Sequence, residues 1–219
     1  MNRSQFTLSQ EIEDLIIADA ALSIGFSFVL SRGFGSELSA CSGAVDILKL
    51  LCSNSFLFYL PIAFVAVSLS FILHEYMHKI VAQRYGAPAA FKRWDLGILL
   101  AIVSGWLGFL IGSVGATWIY TNSFTRKQDG LTSLAGPLTN FVVFIIFFTI
   151  WIFLPRSYAN GYIGVMVGET LFISLWLAVF NMLPIYPLDG SKVWRWNKPV
   201  YLVTFVGLVI LLLFVLGVI

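Results

Sequence analysis

Apolar residues in this chain occur in long runs without acidic or basic side chains. A transmembrane helix needs about 20 apolar residues to cross a hydrocarbon core about 30 Å thick, and most of these runs are long enough. They show no alternation of period two, so a helical conformation is expected. The charge-free runs are Leu50–Leu73, Leu96–Thr125, Gly130–Pro155, Thr170–Leu188 and Pro199–Ile219.

The pattern predicts an all-α polytopic membrane protein, built as a bundle of five to six transmembrane helices. We expect one transmembrane domain over residues 1–219, because no long hydrophilic segment could form a soluble module. The first span is short and contains Asp19. The predicted spans are about 15–31, 56–84, 131–154, 162–183 and 200–219.

Composition supports the same class. The 219 residues are 59% hydrophobic and 11% charged, whereas soluble domains carry about 25% charged residues. A net charge of +2 gives no indication of nucleic-acid binding. The polar, acidic segment Met1–Asp14 lacks the basic region and cleavage site of a signal peptide.

The segment 96–120 is apolar enough to cross, but its glycines are expected to interrupt a continuous helix. Positive charge favours a re-entrant segment, with a β-hairpin as one form of it. If 96–120 enters and leaves by one face, ten basic residues share that face and only Arg32, Lys49 and Arg156 lie opposite, which identifies the cytoplasmic side. A sixth crossing is the alternative. The ten residues are Arg3, Lys79, Arg84, Lys92, Arg93, Arg126, Lys127, Lys192, Arg195 and Lys198.

The chain has two cysteines, Cys41 and Cys52, in the connection 32–55. This topology places them outside the cell, where a disulfide can form. Two unpaired thiols are an equal alternative.

A metal-binding pattern lies within the second predicted span. His74 and His78 are four residues apart, so on a helix their imidazoles share one face and can bind one ion. Glu75 would stand beside the open coordination position and could take a proton from water. These are the only two histidines in the sequence. Ionisable groups inside a span are costly, which favours a functional role over a buried polar network.

Two histidines leave a catalytic zinc site one protein ligand short. Asp189 and Glu169 are the acids other than Glu75 in or against the late apolar segments. Asp189 follows a segment broken by Pro184 and Pro187, and it returns to the face of the two histidines if 96–120 does not cross. We therefore predict Asp189 as the third ligand, with Glu169 as the alternative.

With a third cluster, Gly136-Pro137-x-x-Asn140, the chain resembles the site-2 protease family of intramembrane zinc metalloproteases. Alone, this cluster indicates only close helix packing. The matching elements span about Ser70 to Val193 and end with Asn181-x-x-Pro184-x-x-Pro187-x-Asp189-Gly190. The chain departs from the family pattern at Met77 and Ser191, and it has no PDZ-like insertion.

The resemblance implies one Zn²⁺ per chain, with His74, His78 and Asp189 as ligands and Glu75 as the catalytic base. It also implies a catalytic role for Asn181, in holding substrate or a developing oxyanion. By the same resemblance, a membrane-embedded hairpin precedes the second motif, and Gly115–Tyr120 offers a strand edge to an unwound substrate.

The sequence thus predicts an intramembrane zinc metalloendopeptidase that hydrolyses peptide bonds in or near transmembrane segments. Its expected partners are the lipid bilayer and a membrane-protein substrate whose helix can unwind. The expected location is the cell membrane, with the site toward the cytoplasm. A metal or proton transporter and a non-catalytic metal-binding scaffold are the alternatives. The oligomeric state stays open.

Overall fold

A computed structural model of the chain describes residues 7–31, 54–110, 113–121 and 123–219. These residues form two compact units. The first contains the described residues up to Val65 together with Lys92–Ala116, and the second contains Ala66–Phe91 and Thr117–Ile219. The prediction of a single domain over 1–219 stays a prediction. Cys41 and Cys52, whose pairing the sequence leaves open, lie outside the described residues.

The first unit is built on the contact between two apolar helices, α1 (Leu8–Ser31) and α4 (Asp95–Trp106). Gly25 of α1 and Gly105 of α4 bring the two backbones together. The aromatic rings of Phe28 and Phe56 pack with a centroid separation of 5.0 Å. Phe56 belongs to α2 (Asn54–Val67), which starts in this unit.

The second unit contains six α-helices in its described residues. The span that starts as α2 continues through a π-helical turn, Ser68–Ile72, into α3 (Leu73–Arg84). The later helices are α5 (Arg126–Phe153), α6 (Arg156–Ala159), α7 (Tyr162–Asn181), α8 (Asp189–Trp196) and α9 (Lys198–Val215). The core lies between α5, α7, α8 and α9 and includes Phe144, Leu175, Met182, Val193 and Tyr201. Helix α5 also packs along α3, which positions the site described below.

A two-stranded sheet pairs β1 (Ala89–Arg93) with β2 (Gly115–Ile119). The Trp94 N–H donates to the Val114 carbonyl, and the Tyr120 N–H donates to the Pro88 carbonyl, both at 2.8 Å. These two bonds define an antiparallel register in which Phe91 lies opposite Thr117.

Five helices of the described chain are long and apolar enough to cross a membrane, so the all-α polytopic fold is confirmed. The chain is a multi-pass membrane protein. The spans are Leu8–Ser31, Ser55–Arg84, Arg126–Phe153, Tyr162–Asn181 and Lys198–Val215.

Two spans begin earlier than predicted because of capping. Thr7 precedes α1, where its hydroxyl accepts from the Gln10 N–H and the Gln10 side chain accepts from the Thr7 N–H. Thr125 and Gln128 make the same capping box before α5. A capping box satisfies helix N–H groups that would otherwise lack a partner. Each helix therefore extends into a polar stretch that the apolar pattern had excluded.

As predicted, the segment 96–120 contains no spanning helix among its described residues. The predicted hairpin is also present: its strands are β1 and β2, and α4 lies in the connection between them. Helix α4 has 12 residues and is about 18 Å long, too short to cross. Two details of the prediction were wrong. Gly97 and Gly105 lie within α4 instead of interrupting it, and the hairpin starts at Ala89, before the predicted segment. Gly108 follows the end of α4 with a φ of 95°, a conformation that favours glycine.

Candidate metal centre

Two helices bring three ligand atoms to one point. His74 and His78 are one turn apart on α3, and Asp189 is the first residue of α8. The two imidazole Nε2 atoms lie 3.0 Å apart. The Asp189 Oδ2 atom lies 3.3 Å from His74 Nε2 and 3.0 Å from His78 Nε2. All three side chains are buried.

The tautomer of the neutral His78 ring follows from the contact that its Nδ1 atom makes. Its Nδ1 lies 2.7 Å from the Thr132 carbonyl oxygen, which can only accept a hydrogen bond. Nδ1 of the neutral ring therefore carries the proton, and Nε2 presents a lone pair. That lone pair faces the Asp189 carboxylate, so two acceptors meet at 3.0 Å. A cation between the two acceptors would satisfy both of them.

The spacing of the three donor atoms fits a zinc ion. Zn–N and Zn–O bonds of about 2.0–2.1 Å at tetrahedral angles place donor atoms roughly 3.3 Å apart. The three distances here are 3.0, 3.0 and 3.3 Å. Two imidazoles and one carboxylate are also a donor set found in catalytic zinc sites. His74, His78 and Asp189 therefore fit such an ion.

The site has no room for a side chain on the α5 side. A Cβ atom added to Gly136 would lie 2.5 Å from both imidazole Nε2 atoms. Gly136 therefore forms the wall of the site itself. Pro137 follows it within α5 and has no N–H to donate to the carbonyl of Ser133, four residues earlier. The Thr132 carbonyl, which accepts from His78, belongs to the residue before Ser133.

Glu75 lies beside the imidazoles and is 8% exposed. A carboxylate oxygen of Glu75 lies within 4.8 Å of the ligand atoms of His74 and His78, so Glu75 could also bind a metal. Its Oε2 atom, however, accepts a hydrogen bond of 2.7 Å from the Thr117 hydroxyl. Asp189 contacts both imidazoles directly, whereas the Glu75 carboxylate is bonded to Thr117.

The break between α7 and α8 aims Asp189 inward. After α7 ends at Asn181, seven residues lead to Asp189, and the Ser191 N–H and hydroxyl both bond to the Leu188 carbonyl. A Cβ on Gly190 would collide with the Met182 carbonyl oxygen, so the turn packs tightly on the end of α7.

The charge of Asp189 is favoured by its neighbours. Burial by itself raises the pKa of this carboxyl, but positive charge on His78 and hydrogen bonds from the His74 and His78 rings lower it more when those rings are protonated, so the net pKa lies well below its ordinary value. A bound cation would supply positive charge at the same place. Asp189 lies outside the five spans. Its ionised form is the one that binds a cation.

Two other sequence candidates have different surroundings. The Asn181 side-chain amide donates to the Leu177 carbonyl in its own helix at 3.0 Å. Its predicted catalytic role stays a prediction. Glu169 lies in the middle of α7, and the acid that contacts the two imidazoles is Asp189.

Sequence reasoning missed Thr117 and the Thr132 carbonyl. Thr117 is distant from Glu75 in sequence and has no motif of its own. Thr132 lies four residues before Gly136, on the same helical face, so the Gly136-Pro137 cluster was the available signal.

The chain is similar to several curated proteins. It is 35% identical over 165 residues to a protein of Methanocaldococcus jannaschii named "Putative zinc metalloprotease MJ0611", covering 70% of this chain and 83% of that protein. It is 26% identical over 163 residues to "Putative zinc metalloprotease YwhC" of Bacillus subtilis, covering 64% and 72%. It is 25% identical over 151 residues to "Zinc metalloprotease MJ0392" of M. jannaschii, covering 69% and 38%. No family model matches the chain. No solved structure matches it either.

Proposed function

Because the chain belongs to a site-2-protease-like family of zinc metalloproteases, we propose that it is an intramembrane zinc endopeptidase. It hydrolyses peptide bonds in or near transmembrane segments of membrane-protein substrates. The observation that carries this proposal is the convergence of His74, His78 and Asp189, with Glu75 beside them. Three of these four residues lie in the apolar span Ser55–Arg84.

Zinc bound by His74, His78 and Asp189 would supply Lewis acidity, which lowers the pKa of water and polarises a carbonyl. The chain's own residues do the rest of the chemistry. Glu75 accepts a proton from the attacking water and delivers it to the leaving nitrogen. Thr132 fixes the His78 tautomer, so that Nε2 stays available as a ligand.

Glu75 distinguishes this proposal from a purely structural metal site. A structural site needs ligands but no acid held beside them. Here the Glu75 carboxylate is buried against the ligands and bonded to Thr117. That arrangement is suited to proton transfer, which is the function of a general base.

The substrate must be unwound before it is cleaved, because a helix engages its carbonyls in its own hydrogen bonds. Strand β2 offers a place for an extended peptide. It pairs with β1 on one side, and this sheet has two strands in the described chain. An extended substrate would add to the other edge of β2 by backbone hydrogen bonds. Substrate helices weakened by Gly, Asn or Pro are therefore expected.

The site faces the cytoplasmic side of the cell membrane in this proposal. The support for this orientation is that α4 has only 12 residues and is too short to cross. Without a crossing at α4, the predicted topology has ten basic residues on one face. An excess of Lys and Arg marks the cytoplasmic face.

The test is cleavage of a fluorescent model membrane substrate by purified protein in liposomes. Glu75→Gln should lower the rate by about 10²–10⁴-fold, the usual contribution of a general base. Glu13→Gln is the matched control, since Glu13 is an exposed acid on α1, and it should cleave like the wild type. Cleavage by Glu75→Gln at the wild-type rate would contradict the proposed mechanism.

A further inference from the structure

A hydroxyl from the hairpin contacts the proposed catalytic base. Thr117 Oγ1 lies 2.7 Å from Glu75 Oε2 and 3.2 Å from the Glu75 carbonyl oxygen. A threonine hydroxyl has one hydrogen. It donates to the closer, charged acceptor, because hydrogen bonds to a carboxylate are shorter and stronger than those to a neutral carbonyl.

The face of β2 that carries Thr117 is the inner one. Gly115, Thr117 and Ile119 are half-buried, while Ala116 and Trp118 are exposed. Side chains alternate between the two faces of a strand. A shift of the strand by one residue would therefore replace the hydroxyl beside Glu75 with an apolar side chain.

A second contact fixes the hairpin on the helix that carries Glu75. Phe91 lies opposite Thr117 in the strand register and is 1% exposed. Its ring packs edge-to-face on Phe71, with a centroid separation of 5.6 Å. Phe71 is one helical turn before Glu75, so the two contacts are adjacent on one face. Together they set the position of Thr117 along the helix.

We propose that Thr117 is the positioning residue for Glu75. Its hydroxyl occupies Oε2 and leaves Oε1 as the oxygen that can accept a proton from water. This inference rests on the proposed function.

The hydrogen bond from Thr117 restricts where the Glu75 carboxylate can lie. The Glu75 carboxylate lies within 4.8 Å of the imidazole nitrogens, so a modest side-chain rotation would bring it into contact with a bound cation. Glu75 would then act as a ligand and would no longer be a base. The Thr117 hydroxyl holds the carboxylate at the distance that proton transfer needs.

Two substitutions at position 117 separate the hydroxyl from the shape of the side chain. Thr117→Val keeps the shape and removes the hydroxyl, while Thr117→Ser keeps the hydroxyl. Purified variants in liposomes would be assayed with the model substrate, and bound zinc would be measured by mass spectrometry. Thr121→Val is the matched control, since the Thr121 hydroxyl bonds Ser123.

Thr117→Val should lower kcat by about 10–100-fold, as is usual for residues that orient groups at a metal site. KM and the zinc content should stay at the wild-type values. Thr117→Ser should recover most of the lost rate, and Thr121→Val should behave like the wild type.

Three results would overturn the inference. They are a Thr117→Val variant with wild-type kcat, a Thr117→Ser variant as impaired as Thr117→Val, and loss of zinc or a raised KM as the source of the defect. These results are distinguishable from failure of the proposed function. If Glu75→Gln is inactive while Thr117→Val is fully active, the protease assignment stands and the role of Thr117 does not.

Discussion

Two helix contacts in this protein depend on glycine for close approach, and they serve different ends. In the first unit, a Cβ on Gly105 would lie 2.5 Å from the carbonyl oxygen and 2.6 Å from the Cα of Gly25. In the second unit, a Cβ on Gly136 would lie 2.5 Å from the Nε2 atoms of His74 and His78. The first contact is backbone on backbone. The second leaves space next to two ligand atoms.

The difference shows that the role of a small residue at a helix contact depends on the groups that it faces. Small residues let membrane helices pack closely, and the Gly25–Gly105 contact is of that kind. Gly136 faces lone pairs that converge with a carboxylate, so the same absence of a side chain keeps a metal site open. Gly→Ala substitutions at the two contacts should therefore fail in different ways.

The largest effect is expected for Gly136→Ala. The added methyl group would lie against both ligand nitrogens and displace either the imidazoles or the ion. Zinc content should fall well below one per chain. The cleavage rate should fall by more than the 10–100-fold typical of changes around a metal site. Zinc analysis together with the liposome assay checks this. A Gly136→Ala protein with full zinc and full activity would show that Gly136 does not lie against the two imidazoles.

A smaller and different effect is expected for Gly105→Ala. Overpacking against the Gly25 backbone should cost about 1–3 kcal/mol, partly offset by the higher helix propensity of alanine, about 1 kcal/mol. The thermal unfolding midpoint should fall. Zinc content and the rate per folded molecule should be retained, because the ligands lie in the other unit. Loss of zinc at an unchanged midpoint would remove the contrast between the two contacts.

The apolar pattern was sufficient for the spans because their length and lack of charge are set by the bilayer. It failed where local hydrogen bonds extend a helix into polar sequence. The capping by Thr7 places the start of α1 at Leu8 instead of residue 15. The apolar pattern also gave no sign of β1 or of the π-helical turn Ser68–Ile72, which directly precedes α3.

The four acidic and imidazole groups that converge in the structure could be singled out from the sequence, because each is an ionisable residue in or beside an apolar segment. The groups around them could not. Every residue has a backbone carbonyl, so nothing in the sequence marks the one of Thr132. Thr117 and Thr121 are the same residue type, and only the surrounding fold places one of them beside Glu75. Contacts of this kind depend on tertiary register, and a single sequence does not specify that register locally.

The most direct test of the central claim is the zinc content of purified Asp189→Ala, compared with Glu169→Ala and the wild type. The claim is that His74, His78 and Asp189 together hold one ion. We expect about one zinc per chain in the wild type and in Glu169→Ala, and a value near zero in Asp189→Ala, since catalytic zinc sites have three protein ligands. Full zinc content in Asp189→Ala, or loss of zinc in Glu169→Ala, would contradict the account.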